Sequence, residues 1–231
     1  MQRIRFTLAI AAVMVATSLQ TDMFAQTNDD HSLETLVLFD GSSLDHFRGY
    51  QQEKIGSGWK IVDDTLMFDG TGGGDIITKQ KFVDFELSFD WKVDPGANSG
   101  VMYRVTTGDS APYLSGPEYQ ILDDSKHGDG GNLLTSAASL YGLYQPENKQ
   151  LKPAGQWNSG KIVVRGNRVE HWLNGDRVVS AEIGSPDWKQ RVADSKFKDW
   201  KKFAASPSGH ICLQDHGDRV WFRNIRIKSP K

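Results

Sequence analysis

The segment from Phe82 to Val93 constrains the fold of this chain more than any other stretch. Within it, apolar and polar side chains alternate strictly: Phe85, Leu87, Phe89 and Trp91 are interleaved with Glu86, Ser88, Asp90 and Lys92. Successive side chains of a β-strand point to opposite faces, so this period of two predicts a strand with one buried face. Strands of that kind are typical of antiparallel sheets that cover a core on one side.

Short β-type runs separated by turn residues occupy most of the remaining sequence. Three dipeptides have the composition of tight hairpin turns, namely Asp63-Asp64, Gly166-Asn167 and Asn174-Gly175. Each lies between two short runs of β-forming residues, which predicts a pair of adjacent antiparallel strands. The pattern as a whole predicts an all-β sandwich.

Two stretches depart from the β pattern. Ser185 followed by Pro186 has the form of a helix start, and no glycine follows until residue 209, so one or two short helices are predicted near 186–203. Residues 125–160 are rich in Gly, Asn, Ser and Pro and are predicted to be mostly loop. A loop of that length inside a compact domain is usually functional or disordered.

The N-terminal residues have the layout of a secretory signal peptide. Two arginines among the first five residues precede an apolar run at 6–19 that is short for a membrane span, and cleavage is predicted after Ala25. Residues 26–34 are expected to be a disordered leader, and residues 35–231 a single domain. We therefore expect a secreted or periplasmic protein with no transmembrane segment after signal cleavage. It is not expected to be lipid-anchored, because no cysteine lies directly after the predicted signal region.

Composition restricts the partners and the source of stability. The one cysteine, Cys212, lies in an apolar strand pattern and is interpreted as a packing thiol, so the core must stabilise the domain without an internal disulfide. The formal net charge is −2, and no basic block is interleaved with aromatic residues, which argues against nucleic acid as a partner. Seven Trp, eleven Phe and six Tyr suit a large β core or platforms that stack on sugars.

The candidate site lies between Asn98 and Asp124. If residues 118–122 form a strand, Glu118 and Gln120 share one face, while Tyr119 and Ile121 point the other way into a core. A carboxyl beside an amide suits water or a polar ligand lying across the sheet. Two residues of the preceding predicted strand, Asn98 and Arg104, are expected to add an amide and a guanidinium to the same patch.

Other polar residues allow several interpretations. The blocks that contain them are turns that satisfy their own backbone, sites for sugar hydroxyls, or catalytic groups in which Glu118 acts as acid or base with a histidine nearby. His171 is either a packed strand histidine or a site residue. A divalent cation is a further alternative, with Ca²⁺ held by Asp, His and carbonyl groups of the long loop or a transition ion held by His127 and His216. The blocks comprise Asp123, Asp124 and His127; Lys152, Trp157 and Asn158; and Gln214, Asp215, His216 and Gly217.

A series of distinctive motifs follows in order along the chain. The motifs include Asp84-Phe-Glu-Leu, Pro95-Gly-Ala-Asn-Ser-Gly, Pro117-Glu-Tyr-Gln-Ile-Leu-Asp-Asp, Ser139-Leu-Tyr, His171-Trp-Leu-Asn-Gly, Ser195-Lys-Phe and Gly209-His-Ile-Cys-Leu-Gln-Asp-His-Gly. From about Leu38 to Lys228, the chain resembles one bacterial family that was once a domain of unknown function and was called 3-keto-disaccharide hydrolase. The resemblance implies a concanavalin-like jelly roll of two antiparallel sheets and a 3-keto-glucoside 1,2-lyase or 3-keto-2-hydroxyglucal hydratase.

The resemblance implies a substrate and a set of site residues. The substrate is a 3-keto-glycoside or a glucan-derived saccharide, cleaved by β-elimination, with hydration of the resulting glucal giving net hydrolysis. The catalytic residues are expected to be Glu118, His216 and Arg104. The substrate-binding residues are expected to be Asn98, Gln120, Asp124, His127, Lys152, Trp157, His171 and Gln214.

Two other functions fit the same residues. A lectin-like module would bind a saccharide on the same face without cleaving it. A conventional glycoside hydrolase would need two carboxyl groups at the site. The sequence Glu118-Tyr-Gln120-Ile-Leu-Asp123 resembles the Glu-x-Asp-x-x-Glu motif of laminarinase-type enzymes, but an amide replaces the central carboxylate and Asp the last Glu, which argues against this function. Retaining hydrolysis needs two carboxyl groups about 5 Å apart, and strict alternation sends Asp123 to the other face.

Overall fold

The computed structural model of the chain describes residues 33–230. The predicted signal peptide at 1–25 and most of the predicted leader at 26–34 lie outside the described residues. Glu34 is the first residue of the first strand.

Within residues 33–230, thirteen strands form two antiparallel sheets. One sheet has the order β11-β10-β9-β6-β13-β4-β3, with β1 also paired to β13, and the other has the order β2-β5-β12-β7-β8. The strands are β1 Glu34–Phe39, β2 Phe47–Gly49, β3 Trp59–Val62, β4 Thr65–Phe68, β5 Ile76–Thr78, β6 Phe85–Val93, β7 Asn98–Val105, β8 Glu118–Leu122, β9 Asn158–Arg165, β10 Arg168–Leu173, β11 Asp176–Glu182, β12 His210–Leu213 and β13 Val220–Ser229.

The strand predicted from strict alternation is β6, and it lies between β9 and β13 inside the eight-stranded sheet. Its apolar residues face the core, and Trp91 is 1% exposed, whereas Ser88 on the opposite face is exposed. The core lies between the two sheets and is rich in aromatic side chains. The predicted all-β jelly-roll sandwich of two antiparallel sheets is confirmed.

The helical prediction is also confirmed. Helix α1 spans Pro186–Ala193, with Ser185 as its N-cap, whose hydroxyl accepts a hydrogen bond from the Trp188 backbone N–H at 3.1 Å. Two short 3₁₀ helices, Pro112–Leu114 and Gly128–Gly131, are additional to the prediction. Among residues 33–230, no helix is long and apolar enough to cross a membrane.

Candidate active site

A pocket of about 160 Å³ opens on the face of the five-stranded sheet that points away from the core. It gathers one carboxyl, three amides, two phenols, an ammonium and an imidazole. The side chains that line it are Asn98, Tyr113, Glu118, Gln120, Tyr141, Lys196, Gln214 and His216. Five of the eleven residues expected at the site are thus brought together here.

Strand β8 positions the carboxyl and the central amide. Tyr119 and Ile121 pack in the core, so Glu118 and Gln120 occupy the opposite face, as alternation requires. On the neighbouring strand β7, Gly100 pairs with Gln120. A Cβ atom at Gly100 would lie 2.0 Å from Oε1 of Glu118, so the carboxyl group lies directly over the bare backbone of this glycine.

The Glu118 carboxyl has an unusual affinity for its proton. Burial is the main cause of a rise in the pKa of Glu118 from its ordinary value of 4.5 to about 8; Lys196 opposes this rise, and the charges of Asp75 and Asp129 contribute to it. Burial also lowers the pKa of Lys196, which Glu118 and Asp129 counteract. At neutral pH, Glu118 therefore holds a proton in most molecules and can donate it.

The three amide side chains are buried without the hydrogen bonds that burial normally demands. Gln120 is 1% exposed, Asn98 3% and Gln214 8%. Within the described part of the chain, both amide atoms of Gln120, Oδ1 of Asn98 and Oε1 of Gln214 have no hydrogen-bond partner. Because buried polar groups are rarely left unsatisfied, these atoms point to a polar ligand that supplies the missing bonds.

The backbones that carry these amides are firmly held. Ser99 Oγ donates to the Gln214 carbonyl at 2.8 Å, and the Gln214 N–H donates to the Gly100 carbonyl at 3.0 Å. The Asn98 N–H donates to Oδ2 of Asp218 at 3.0 Å. The backbone is therefore fixed at Asn98, the first residue of β7, and at Gln214, which follows β12.

Tyr141, Lys196 and Tyr113 also line the pocket, although none of them was predicted as a site residue. Tyr141 belongs to the long loop, which runs along the free edge of β8, and its N–H donates to the Glu118 carbonyl at 3.0 Å. The ammonium of Lys196 lies 4.3 Å from the Tyr141 ring centroid. Tyr141 and Lys196 belong to motifs that carry the family resemblance, and those motifs could have marked them as site residues. No motif in the sequence contains Tyr113.

Arg104 does not reach the pocket. Strict alternation along β7 would put it on the face of Met102, but the pairing with β12 shifts register between Met102 and Val105, and Arg104 has a φ of 56°. This bulge turns Arg104 away, and its guanidinium donates to the carbonyl of Gly166, in the β9–β10 turn of the other sheet. Arg104 is therefore not positioned for the catalytic role expected of it.

His171 lies between the sheets rather than in the pocket. It is fully buried, its Nε2 is 3.2 Å from the Tyr103 hydroxyl, and its Nδ1 is 3.3 Å from the Ala138 carbonyl oxygen. Burial lowers the pKa of His171 to about 4, which keeps the imidazole neutral. The packed-histidine interpretation is the one that the structure supports.

Asp124 and His127 organise the long loop instead of lining the pocket. Oδ1 of Asp124 accepts the Ala137 N–H at 2.8 Å, and Oδ2 pairs with the Lys149 ammonium at 2.5 Å. Nδ1 of His127 accepts the Asp129 N–H at 3.1 Å and caps the second 3₁₀ helix. Both side chains therefore accept hydrogen bonds from backbone N–H groups of the long loop.

Lys152 and Trp157 also lie outside the pocket lining. Lys152 is exposed, and its backbone N–H donates to Oδ1 of Asn158 at 2.9 Å. The Trp157 ring packs against two cations, with the Arg223 guanidinium 4.2 Å and the Lys92 ammonium 5.1 Å from its centroid. Lys92 belongs to the polar face of β6, so Trp157 contacts the outer surface of the eight-stranded sheet.

The residues of the pocket do not fit a divalent cation. Among residues 33–230, no group of three or more His, Cys, Asp or Glu side chains is arranged to hold a metal ion. The pocket offers one carboxyl and one imidazole, and the ammonium of Lys196 adds a positive charge to the same space. The alternative ligands in the long loop, Asp124 and His127, are occupied by protein donors.

Comparison with known proteins agrees with this fold. The 3-keto-alpha-glucoside-1,2-lyase-like domain matches residues 34–228. A 3-keto-disaccharide hydrolase of Bacteroides thetaiotaomicron is 36% identical over 224 residues, which span 84% of this chain and 77% of the relative. A crystal structure of a candidate glycosyl hydrolase from Parabacteroides distasonis superposes with a TM-score of 0.80 at 33% identity, covering 85% of this chain and 94% of that one. A second candidate glycosyl hydrolase from the same organism gives a TM-score of 0.67 at 30% identity, with 85% and 99% covered. The chain therefore belongs to the family of 3-keto-alpha-glucoside-1,2-lyase-like domains.

Proposed function

We propose that this protein is a secreted or periplasmic carbohydrate-active enzyme that cleaves 3-keto-glycosides by β-elimination, with or without subsequent hydration of the glucal. The observation that carries the proposal is the set of buried amides without partners around the Glu118 carboxyl. Family membership and the named activity of the Bacteroides relative support the substrate class.

A ketone at C3 determines which chemistry is needed. It acidifies the hydrogen on C2, so a base can remove that proton and leave an enolate whose charge lies on the C3 oxygen. The electron pair then forms the C1=C2 double bond as the bond from C1 to the leaving oxygen breaks. That oxygen takes up a proton, and the products are a 3-keto-2-hydroxyglucal and the free alcohol. The reaction requires a base, an acid and a positive group near the C3 oxygen.

The pocket contains a group suited to each requirement. Glu118 carries a proton at neutral pH and donates it to the leaving oxygen. Lys196 places an ammonium in the same pocket and stabilises the enolate oxygen, which is the role that Arg104 cannot take. His216, exposed at the pocket, accepts the C2 proton. The amides of Asn98 and Gln120 bind sugar hydroxyls.

Hydration reverses the same proton transfers. A water molecule adds its oxygen to C1 and a proton returns to C2, which gives the 3-keto sugar and completes net hydrolysis. Glu118, left ionised by the elimination, takes the proton from the attacking water. Glu118 and His216 therefore act in both steps.

The pocket favours elimination over conventional glycoside hydrolysis. Among the described residues that line it, Glu118 is the one carboxyl. Asp123, the other carboxylate of the motif, accepts hydrogen bonds from Gly96 and Ser125 and belongs to a turn. A retaining mechanism would need two facing carboxyl groups about 5 Å apart.

The test is product analysis by NMR with a synthetic 3-keto-glucoside, with and without a chelator, beside the unoxidised glucoside. We expect the 3-keto-2-hydroxyglucal or the 3-keto sugar to appear only from the oxidised substrate, at a rate that the chelator does not change. Glu118→Gln should lower the rate at least about 100-fold, the range of general acid catalysis. The matched control is Glu86→Gln, the same change on the polar face of β6, which should retain the rate.

Three results would contradict the proposal. Turnover by Glu118→Gln at the wild-type rate would remove Glu118 from the mechanism. Binding of the saccharide without any product would identify a lectin-like module. Cleavage of the unoxidised glucoside at an equal rate would identify a conventional glycoside hydrolase.

A further inference from the structure

An exposed aromatic ring stands beside the pocket. Tyr113 lines the pocket and is nevertheless 44% exposed. It lies in the 3₁₀ helix Pro112–Leu114, whose Pro112 is buried. Ser115 fixes the end of this helix, because its N–H donates to the Pro112 carbonyl at 3.1 Å and its hydroxyl accepts the Thr106 N–H at 3.0 Å. The backbone that presents the Tyr113 ring is therefore held in place.

A second aromatic ring extends this surface. The Trp200 ring centroid lies 5.6 Å from that of Tyr113, with an angle of 38° between the planes. Phe197 braces Trp200 edge-on at 5.0 Å. The ammonium of Lys196, which lines the pocket, lies 5.8 Å from the Trp200 centroid, so the aromatic surface adjoins the pocket.

The amides and the aromatic ring lie at different depths of the pocket. Gln120 is 1% exposed and Asn98 3%, whereas Tyr113 is 44% exposed. If the ring that carries the ketone occupies the amide-lined part, the group on C1 must leave through the opening. Tyr113 lines that same space and is open to solvent.

We infer that Tyr113 and Trp200 form a subsite that stacks on the leaving group, which is a group with a flat apolar face. Aromatic side chains bind such faces through area burial and ring geometry. An aryl aglycone and the pyranose ring of a second sugar share this chemistry. The inference rests on the proposed function, because it takes the sugar with the ketone to lie beside Glu118.

The test measures binding and does not require turnover. Dissociation constants are determined by isothermal titration calorimetry in the Glu118→Gln background for three 3-keto-glucosides, with phenyl, glucosyl or methyl as the leaving group. We expect the phenyl and glucosyl compounds to bind about tenfold more tightly than the methyl compound, which corresponds to about 1.4 kcal/mol. Tyr113→Ala in this background should reduce the preference to less than about twofold, as expected for loss of a stacking contact.

Three further variants complete the experiment. Tyr113→Phe should keep the preference because the ring remains, and Tyr113→Leu replaces Tyr113→Ala if that variant does not fold. Val83→Ala, a truncation at another exposed apolar side chain that is 51% exposed and does not line the pocket, should also keep it. A phenyl preference without a glucosyl preference would assign the subsite to aryl aglycones, and the reverse result would assign it to a second sugar.

The outcomes separate this inference from the proposed function. Equal dissociation constants for all three compounds, or a preference that survives Tyr113→Ala and Tyr113→Leu, would overturn the leaving-group subsite. If wild-type protein fails to turn over any of the three compounds while the preference and its loss are observed, the proposed reaction is wrong and the subsite stands.

Discussion

Replacement of Glu118 by glutamine is expected to stabilise the protein in a manner that depends on pH. The native carboxyl keeps its proton up to a pKa of about 8, whereas the unfolded chain loses it near 4.5. Between these values the native state binds more protons than the unfolded state, so the free energy of unfolding falls as the pH rises. Glutamine has no proton to lose and lacks this contribution.

The size of the effect follows from the separation of the two pKa values. At about 1.36 kcal/mol per pH unit, a rise from 4.5 to about 8 corresponds to an upper value of about 4 to 5 kcal/mol. Glu118 is partly exposed to the pocket, and water there screens its charge, so we expect about 2 to 3 kcal/mol. For a domain of this size, that corresponds to a Tm about 5 to 10 °C higher for the variant at pH 8.

The assay compares thermal unfolding of wild type and Glu118→Gln at pH 5, 6.5 and 8. The difference in Tm between the two proteins should be small at pH 5 and largest at pH 8. Asp75, whose pKa burial raises to about 6, changes stability in the same direction but is present in both proteins and largely cancels. Glu86→Gln, on the outer face of the other sheet, serves as the matched control and should follow wild type.

A constant difference in Tm across this pH range would refute the reasoning. It would mean that Glu118 ionises in the native state much as it does in the unfolded chain. The carboxyl would then be largely ionised at neutral pH, and its assignment as the acid that protonates the leaving oxygen would lose its basis.

Two further predictions concern the groups around this carboxyl. Gly100→Ala introduces a Cβ atom 2.0 Å from Oε1 of Glu118, so the carboxyl must move. Turnover of a 3-keto-glucoside should fall by about 100-fold while the circular dichroism spectrum remains native. Turnover at the wild-type rate would contradict the position of the carboxyl. Gln120→Met removes a buried amide that has no hydrogen-bond partner. The free energy of unfolding, measured in urea, should rise by about 1 to 3 kcal/mol, and substrate binding should weaken. A less stable variant would show that the amide has hydrogen-bond partners in the free protein.

The local sequence pattern by itself determined the strands, the turns and the direction of most strand side chains. Alternation along β6 and β8 predicted which side chains enter the core, because the two faces of a strand are fixed by backbone geometry. The hairpin turn at Asp63-Asp64 and the helix start at Ser185 were predicted correctly, since each depends on the conformational preferences of a few adjacent residues. The same rule predicted that Glu118 and Gln120 lie on one face of β8.

The tertiary structure alone decided which residues meet in the pocket. Tyr141 and Lys196 are distant from Glu118 in the sequence, and only the docking of the long loop and of the turns after α1 brings them to it. Alternation predicts the face of a residue only relative to its neighbours in an unbroken strand. The bulge at the end of β7 reversed the direction of Arg104, and no local sequence pattern marks the position of that bulge. For His171, alternation along β10 places the side chain on the same face as Val169, and the packing of one sheet on the other makes that face the interior.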